Sequence, residues 1–480
     1  MQDNSTRMQR ILDTQKAAFI ADGFPSATTR IDRLQRVYRM VGENQKAIID
    51  ACDADFGCHS RHQAQMSEII AVMDGAQRAI KQLKGWMKPE KRKSPFPNNL
   101  LGAKARVEYV PKGVVGNLST WNFPVYTALL PLIGIFAAGN RAMLKFSEMT
   151  PATGELMCQL IAQYFDETEL VGITGGPEVG AAFAALPLDH IIFTGGTHIG
   201  RHILKAAADN LTPCTLELGG KSPVIVSRRY DITQAAERIM LGKALNQGQA
   251  CLGPDYCFVP RESLEAFVSA AIAYYSARFP SILDNPDVTS VINERHHQRV
   301  MRFITDAREQ GGDVREINPA HEDFSTQAPG LHKMPMTLVI DPSEAMAVMQ
   351  DEIFGPVMAI KPYDDINDCI NYINAHPRPL GLYYFGNDAL EERRVLDHTI
   401  SGGVTINDVM HHSSCDDLPF GGIGPSGMGH YHGKDGFKTF SHARAIFKQT
   451  KVDLMKLFGM LPPYTDKCQQ QLDNLTQVKK

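Results

Sequence analysis

From residue 107 onward the chain alternates short β-branched runs with helical stretches, and this alternation constrains its fold more than any other feature. Residues 107–110 and 114–118 read as strands, 126–138 as a helix, 143–145 as a strand, 150–165 as a helix, and 191–194 as a strand that feeds a glycine-rich turn. A second block repeats the pattern, with strands at 223–226 and 256–259 and helices at 235–245 and 264–279. Alternation at this spacing implies parallel sheets covered by helices, and two such units leave a cleft between them where ligands usually bind. Ahead of these blocks, Ile31, Leu34, Val37, Tyr38 and Val41 recur at helical spacing, and the first ~85 residues read as helical. Pro89, Pro95 and Pro97 then forbid a helix and mark an extended crossing segment. The apolar run 124–139 is interrupted by Pro131 and falls short of the ~20 residues of a membrane helix, so it reads as a buried helix.

Composition narrows the function. The 480 residues carry 49 Lys+Arg against 53 Asp+Glu, a formal net charge of −4, which gives no electrostatic reason to expect nucleic acid. The short basic cluster Lys91, Arg92, Lys93 reads as a solvated loop. The nine cysteines are odd in number, scattered and never spaced C-x-x-C, which argues against a disulfide framework or zinc ribbon and fits a reducing compartment. His411, His412, Cys415, His430 and His432 do not match zinc spacing, so no metal is expected. The polar start 1–10 and polar tail 466–480 lead us to expect a cytoplasmic protein without a membrane anchor.

Several segments could carry chemistry. Phe193-Thr194-Gly195-Gly196-Thr197-His198-Ile199-Gly200 runs from an apolar strand through glycines into a helix; it is either a phosphate-cradling turn or a plain strand-to-helix connection. In Cys214-Thr215-Leu216-Glu217-Leu218-Gly219-Gly220-Lys221, strand alternation places Glu217 with Thr215, opposite Cys214, Leu216 and Leu218. Burial would raise its pKa toward the range of a general base; the alternative is an ordinary solvent-facing acid. Cys251 closes the amide-rich turn Asn246-Gln247-Gly248-Gln249-Ala250, where backbone N–H groups could favour a thiolate, although most cysteines are inert small hydrophobes. Asn122 in Ser119-Thr120-Trp121-Asn122-Phe123-Pro124 could present an amide donor, or simply form a turn before the apolar helix. Glu352-Ile353-Phe354-Gly355-Pro356-Val357 and the glycine-rich 418–427 are ambiguous alone.

Taken in order, these segments resemble the aldehyde dehydrogenase superfamily: T-W-N-F-P, L-K-F-S-E, F-T-G-G-x-x-x-G, L-E-L-G-G-K, N-x-G-Q-x-C, E-I-F-G-P-V and P-F-G-G all occur in the family's order, from about residue 30 to 450. F-T-G-G in place of F-T-G-S, with a short N-terminus, resembles the class 3 branch, and the ending 422–433 with Phe437, Phe440 and Ser441 resembles its coniferyl aldehyde dehydrogenase group. The resemblance implies an α/β fold of two doubly wound parallel-sheet domains, a Rossmann-like cofactor domain (1–93 and 113–217) and a catalytic domain (218–415). A small β oligomerisation arm (94–112 and 430–450, with a strand near 437–446) would make a homodimer.

The resemblance also implies NAD-dependent oxidation of an aldehyde, with NADP as a possible second cofactor. It makes Cys251 the nucleophile, Glu217 the general base and Asn122 the oxyanion-hole amide. It assigns Lys145 and Glu148 to the adenosine ribose, Gly195, Gly196 and Gly200 to the pyrophosphate turn, and Glu352, Phe354 and Trp121 to the nicotinamide side. A carboxylate at Glu148 would favour NAD, because it repels a 2′-phosphate. Tyr126, Phe123 and Phe420, with Trp121, could line an apolar tunnel for an aromatic aldehyde, or be core residues. A medium-chain or fatty aldehyde is the alternative substrate. Intact Cys251, Glu217 and Asn122 argue against a non-catalytic nucleotide-binding protein, and Glu217 argues against transfer of the acyl group to CoA.

Overall fold

The computed structural model describes residues 2–96 and 98–478; Pro97, one of the three prolines expected to end the helical start, lies outside the described residues. The start is helical as anticipated: Gln2–Asp22, Ala27–Glu43, Gln45–Phe56, Arg61–Ala64, one π-helical turn Gln65–Ile70, and Ala71–Trp86. The second of these begins where the Ser26 hydroxyl accepts the Thr29 N–H, an N-cap, and it buries Leu34, Val37, Met40 and Val41 on one stripe.

A six-stranded sheet follows the order Gly427–Met428, Cys214–Glu217, His190–Thr194, Val114–Leu118, Arg141–Lys145, Leu170–Ile173, parallel except at Gly427–Met428. Apolar clusters cover both of its faces, so its strands read as nearly continuous hydrophobic runs. The chain builds outward from Val114–Leu118 in one direction, then returns to build in the other. This makes a topological switch point at the C-terminal ends of Val114–Leu118 and His190–Thr194. Asn122 and the pair Gly195–Gly196 lie just beyond those two ends.

The apolar helix Tyr126–Ala138 packs against this sheet and is buried along nearly its whole length. Pro131 cannot donate to the carbonyl four residues back. Asn117, on the central strand, compensates: its Nδ2 donates to the Thr127 and Ala128 carbonyls at 3.2 and 2.9 Å. At the other end Gly139 (φ +93) closes the helix, and Arg30 Nη1 donates to the Ala137 and Ala138 carbonyls at 2.9 and 2.8 Å.

A seven-stranded sheet holds the second block, in the order Asp313–Ile317, Met336–Ile340, Val357–Tyr363, Pro254–Pro260, Ser222–Val226, Gly381–Phe385, Gly403–Ile406; only the first pair is antiparallel. Cores again lie on both faces. The N-terminal ends of three of its strands are preceded by Gly219, by Cys251 and by Glu352–Phe354, and these segments meet the C-terminal ends of the first sheet across a cleft.

The third sheet is a small antiparallel one, Glu90–Arg92, Lys104–Pro111 and Ser441–Lys448. Two details differ from the sequence expectation. The strand expected near 437–446 begins at Ser441, because Phe437 lies on the helix Gly433–Thr439. There its ring is fully buried, 5.9 Å from Trp86 and 5.8 Å from Tyr109. Part of the basic cluster expected as a loop is the edge strand Glu90–Arg92. Among the described residues no helix is long and apolar enough to cross a membrane, and no group of three or more His, Cys, Asp or Glu is placed to hold a metal ion. His412 is instead hydrogen-bonded to Thr405, and His432 stacks on Phe420.

Candidate active site

The cleft encloses a cavity of about 680 Å³ whose wall takes residues from both large sheets. Asn122, Glu217, Cys251, Trp121, Phe123, Tyr126, Gly195, Gly196, Glu352, Phe354 and Phe420 all line it.

Cys251 sits at the end of a loop with unusual backbone. Asn246 (φ +48), Gln247 (φ +51) and Gly248 (φ +72) form three consecutive left-handed residues, a conformation that persists only when the surroundings over-determine it. Those surroundings are visible. Gln249 Nε2 donates to the Asn246 and Ser290 carbonyls (3.1 and 3.0 Å) while its Oε1 accepts the Ile292 N–H (3.0 Å), and Gln247 Nε2 reaches the Tyr275 hydroxyl at 3.2 Å. Gly248 is required twice over, for its φ and because a Cβ there would run into the Gly355 carbonyl oxygen. The turn is thus buried, and the half-buried cysteine at its end faces the cavity beside Ala250.

Asn122 is locked to the same loop. Its Nδ2 donates to the Gln249 carbonyl at 3.0 Å, and its own carbonyl accepts Asn246 Nδ2 at 2.9 Å. One of the two amide hydrogens is consumed by Gln249; the second is left for a ligand in the cavity. Burial pushes the Cys251 thiol up to about 12, with the carboxyls of Glu352 and Glu217 pushing the same way, while the N–H groups of Cys251 and Leu252 oppose them.

Glu217 is buried, and neither carboxyl oxygen has a hydrogen-bond partner among the described residues. Burial raises its pKa well above the ordinary carboxylate range. The strand, paired with Gly427–Met428, thus turns Glu217 toward the cavity rather than toward bulk solvent. Burial also pushes Glu352 up to about 7, opposed by the Gly220 N–H, Lys221 and Arg299.

The Glu352 loop is pinned from three sides. Arg299 donates to the carbonyls of Ile353 and Phe354 at 2.8 and 2.9 Å. The Asp255 carboxylate accepts the Ile353 N–H at 2.8 Å, and Lys221, ion-paired to Asp255, donates to the Asp351 carbonyl at 2.8 Å. Phe354 is held at φ +44, its ring edge-on to Trp121 at 5.4 Å. Sequence reading quoted Lys221 without a role and missed Arg299, Asp255 and the cavity-lining His296, whose ring lies 5.0 Å from Trp121. Of these only Lys221 stands inside a recognisable motif.

Three expected cofactor residues lie off the cavity wall. Gly200 faces the Leu218 side chain, which a Cβ would approach to 2.8 Å, so it serves helix-on-strand packing. Lys145 and Glu148 sit together beyond the strand Arg141–Lys145, with Lys145 Nζ donating to Glu148 Oε2 at 3.0 Å. On the opposite wall, Tyr126 places its hydroxyl 3.4 Å from His432 Nε2, and Phe420 stacks on the His432 ring at 5.1 Å.

Two doubly wound sheets meeting over a buried carboxyl and a loop-borne thiol make an α/β architecture with a candidate reaction centre between the sheets. The chain belongs to the aldehyde dehydrogenase family, whose model matches residues 2–446. It is 51% identical over 453 residues to the coniferyl aldehyde dehydrogenase of a Pseudomonas species (strain HR199), covering 94% of this chain and 93% of that one. It is 36% identical over 441 residues to aldehyde dehydrogenase family 3 member A2 of Macaca fascicularis, covering 91% and 87%. Among solved structures, the substrate-bound Staphylococcus aureus AldH matches with a TM-score of 0.89 and 32% identity, covering 98% of this chain and 99% of that one. The superfamily, its class 3 branch and the coniferyl-like pattern read from the motifs agree with these findings.

Proposed function

We propose that this enzyme oxidises an aromatic, coniferaldehyde-like aldehyde to its carboxylic acid with NAD(P), through a thiohemiacetal and a thioester on Cys251. The observation that carries the reading is the joining of Asn122 and the Cys251 loop by hydrogen bonds to Gln249 and from Asn246, with the unpartnered Glu217 carboxyl lining the same cavity. The residues present fit a dinucleotide. Thr194 Oγ1 and Glu352 Oε1 are buried polar atoms without partners on the cavity wall, and the helix Thr197–Ala208 starts beside Gly195 and Gly196. Gly195 and Gly196 would hold the pyrophosphate, Lys145 and Glu148 the adenosine ribose, and Glu352, Phe354 and Trp121 the nicotinamide riboside. The bound nicotinamide supplies the hydride acceptor.

The chain's own residues do the rest. The Cys251 sulfur adds to the aldehyde carbon as its thiol proton passes to water, and the oxygen that becomes negative is met by the free Asn122 N–H and a backbone N–H; in comparable sites each such donor contributes roughly 3–4 kcal/mol. After the hydride departs, the thioester stays on Cys251 until Glu217 takes a proton from water, whose oxygen forms the acid and whose attack releases the thiol.

Phe123, Tyr126, Phe420 and Trp121 give the cavity wall a set of aromatic faces, which suits a planar arylpropenal. With coniferaldehyde, benzaldehyde and hexanal compared by kcat/KM, coniferaldehyde should exceed hexanal by about tenfold or more, at least what one extra apolar contact discriminates. NAD should exceed NADP because Glu148 faces the ribose site. Equal kcat/KM for hexanal would replace the aromatic reading with a medium-chain one.

We further read 94–112 and 430–450 as an oligomerisation arm between a cofactor domain (1–93 and 113–217) and a catalytic domain (218–415). The strand Ser441–Lys448 is an edge strand of the small sheet, with one side unpaired among the described residues. A homodimer should sediment at twice the chain mass; a monomer at micromolar concentration would overturn this.

A further inference from the structure

The described active-site groups are held by a segment that carries none of them. Residues 61–70 comprise one short α-helix and the π-helical turn Gln65–Ile70, which inserts an extra residue into the helical repeat. On that turn Glu68 is fully buried, and its Oε2 accepts the Val125 N–H at 3.0 Å and the Tyr126 N–H at 2.6 Å. These N–H groups open the helix Tyr126–Ala138, whose N-cap residue Val125 has no capping side chain. A buried carboxyl group far upstream therefore fixes the start of the helix that begins four residues after Asn122. Little more than one turn earlier in the same segment, Gln63 Oε1 accepts the Asn246 N–H at 2.8 Å. Asn246 is the first of the three left-handed residues leading to Cys251, and its Nδ2 donates to the Asn122 carbonyl.

These contacts close a ring: Gln63 to Asn246, Asn246 to Asn122, Asn122 along four residues of chain to Tyr126, Tyr126 to Glu68, and Glu68 back to Gln63 through the helical segment. We infer that Gln63 and Glu68 are positioning residues that together set the register between the Asn122 amide and the Cys251 thiol for acyl transfer. This rests on the assignment of Asn122 and Cys251 proposed above. The physical need is plain. A left-handed run stores strain and relaxes when an anchor is lost, and an uncapped helix start can slide. Either displacement moves one partner of the acylating pair relative to the other, and a misplacement of about 1 Å can cost on the order of a hundredfold in rate. The other face of the π-turn adds a reason for its place: Met66 and Ser67 line the cavity, so the strut is also part of the substrate wall.

The test is a set of double-mutant cycles on the full-length enzyme, reading the NADH burst rate with saturating aldehyde. Gln63→Ala and Glu68→Ala should each slow the burst about tenfold or more, with NADH affinity by fluorescence within about twofold of wild type. Glu68→Gln keeps an acceptor oxygen toward both N–H groups and should recover to within a few-fold. In an Asn122→Ala background the same two alanine changes should cost less than about twofold, because the donor they position is gone. A merely structural role would slow the burst by the same factor in both backgrounds and would overturn the inference, as would an unchanged burst in Gln63→Ala. Should Glu68→Ala fail to fold, the half-exposed Gln63 carries the cycle alone. If Asn122→Ala itself leaves the burst unchanged, the assignment of Asn122 falls first, and the two failures are thereby distinguished.

Discussion

Replacing Cys251 with alanine is expected to abolish aldehyde-dependent NADH formation, by about 10⁴-fold or more, while NADH affinity stays within about twofold of wild type. Removing a nucleophile that forms the covalent intermediate costs far more than removing a group that assists it. The change deletes one sulfur from the wall of a cavity whose other contacts persist: Asn122 and Gln249 are joined through the Gln249 carbonyl, and Gly195, Gly196, Glu352 and Phe354 stand on other elements. Binding and chemistry should therefore separate cleanly. Stopped-flow absorbance with coniferaldehyde and NAD, alongside NADH fluorescence titration, reads both. NADH formation at a near wild-type rate in this variant would overturn the thiol mechanism; loss of NADH affinity in step with activity would show that the cysteine loop builds the nucleotide site as well.

How much of this was legible from sequence depends on the range of the interactions involved. Alternation of strand and helix gave the two sheets, because each element's apolar pattern is local and both sheets bury both faces. The motif residues Asn122, Glu217, Cys251, Glu352 and Phe354 line one cavity, as the family resemblance implied. What could not be read were couplings between distant segments. Nothing near Asn117 shows that it relieves the carbonyl left by Pro131, and nothing near Gln63 points to Asn246, 183 residues away. Phe437 was misplaced on a strand for a related reason: its ring is drawn into an aromatic cluster with Trp86 and Tyr109 that only the folded chain assembles. Nothing in the sequence around Arg299 marks it either, yet it donates to three carbonyls of the Glu352 loop.

The amide isostere Glu217→Gln should preserve the NADH burst and slow the steady state that follows it by about 10²–10⁴-fold, the range a positioned general base supplies. The volume at this buried strand position is unchanged and no hydrogen bond is lost, since neither carboxyl oxygen has a partner among the described residues. Acylation, which depends on Cys251 and Asn122, should then proceed much as before. The pH dependence gives a second reading. Burial raises the Glu217 pKa above the ordinary carboxylate range, so the ionised fraction that can act as a base grows with pH through that raised value. Hydrolysis of the thioester in the wild type should therefore accelerate with pH through that raised pKa and level off above it, and the glutamine variant should lose this rise. A variant with no slow phase after the burst would remove Glu217 from the role. Attention would pass to Glu352, which lines the same cavity, has an unpartnered Oε1 and is pushed up to about 7 by its own burial. In that case the rise with pH should persist in Glu217→Gln and vanish in Glu352→Gln.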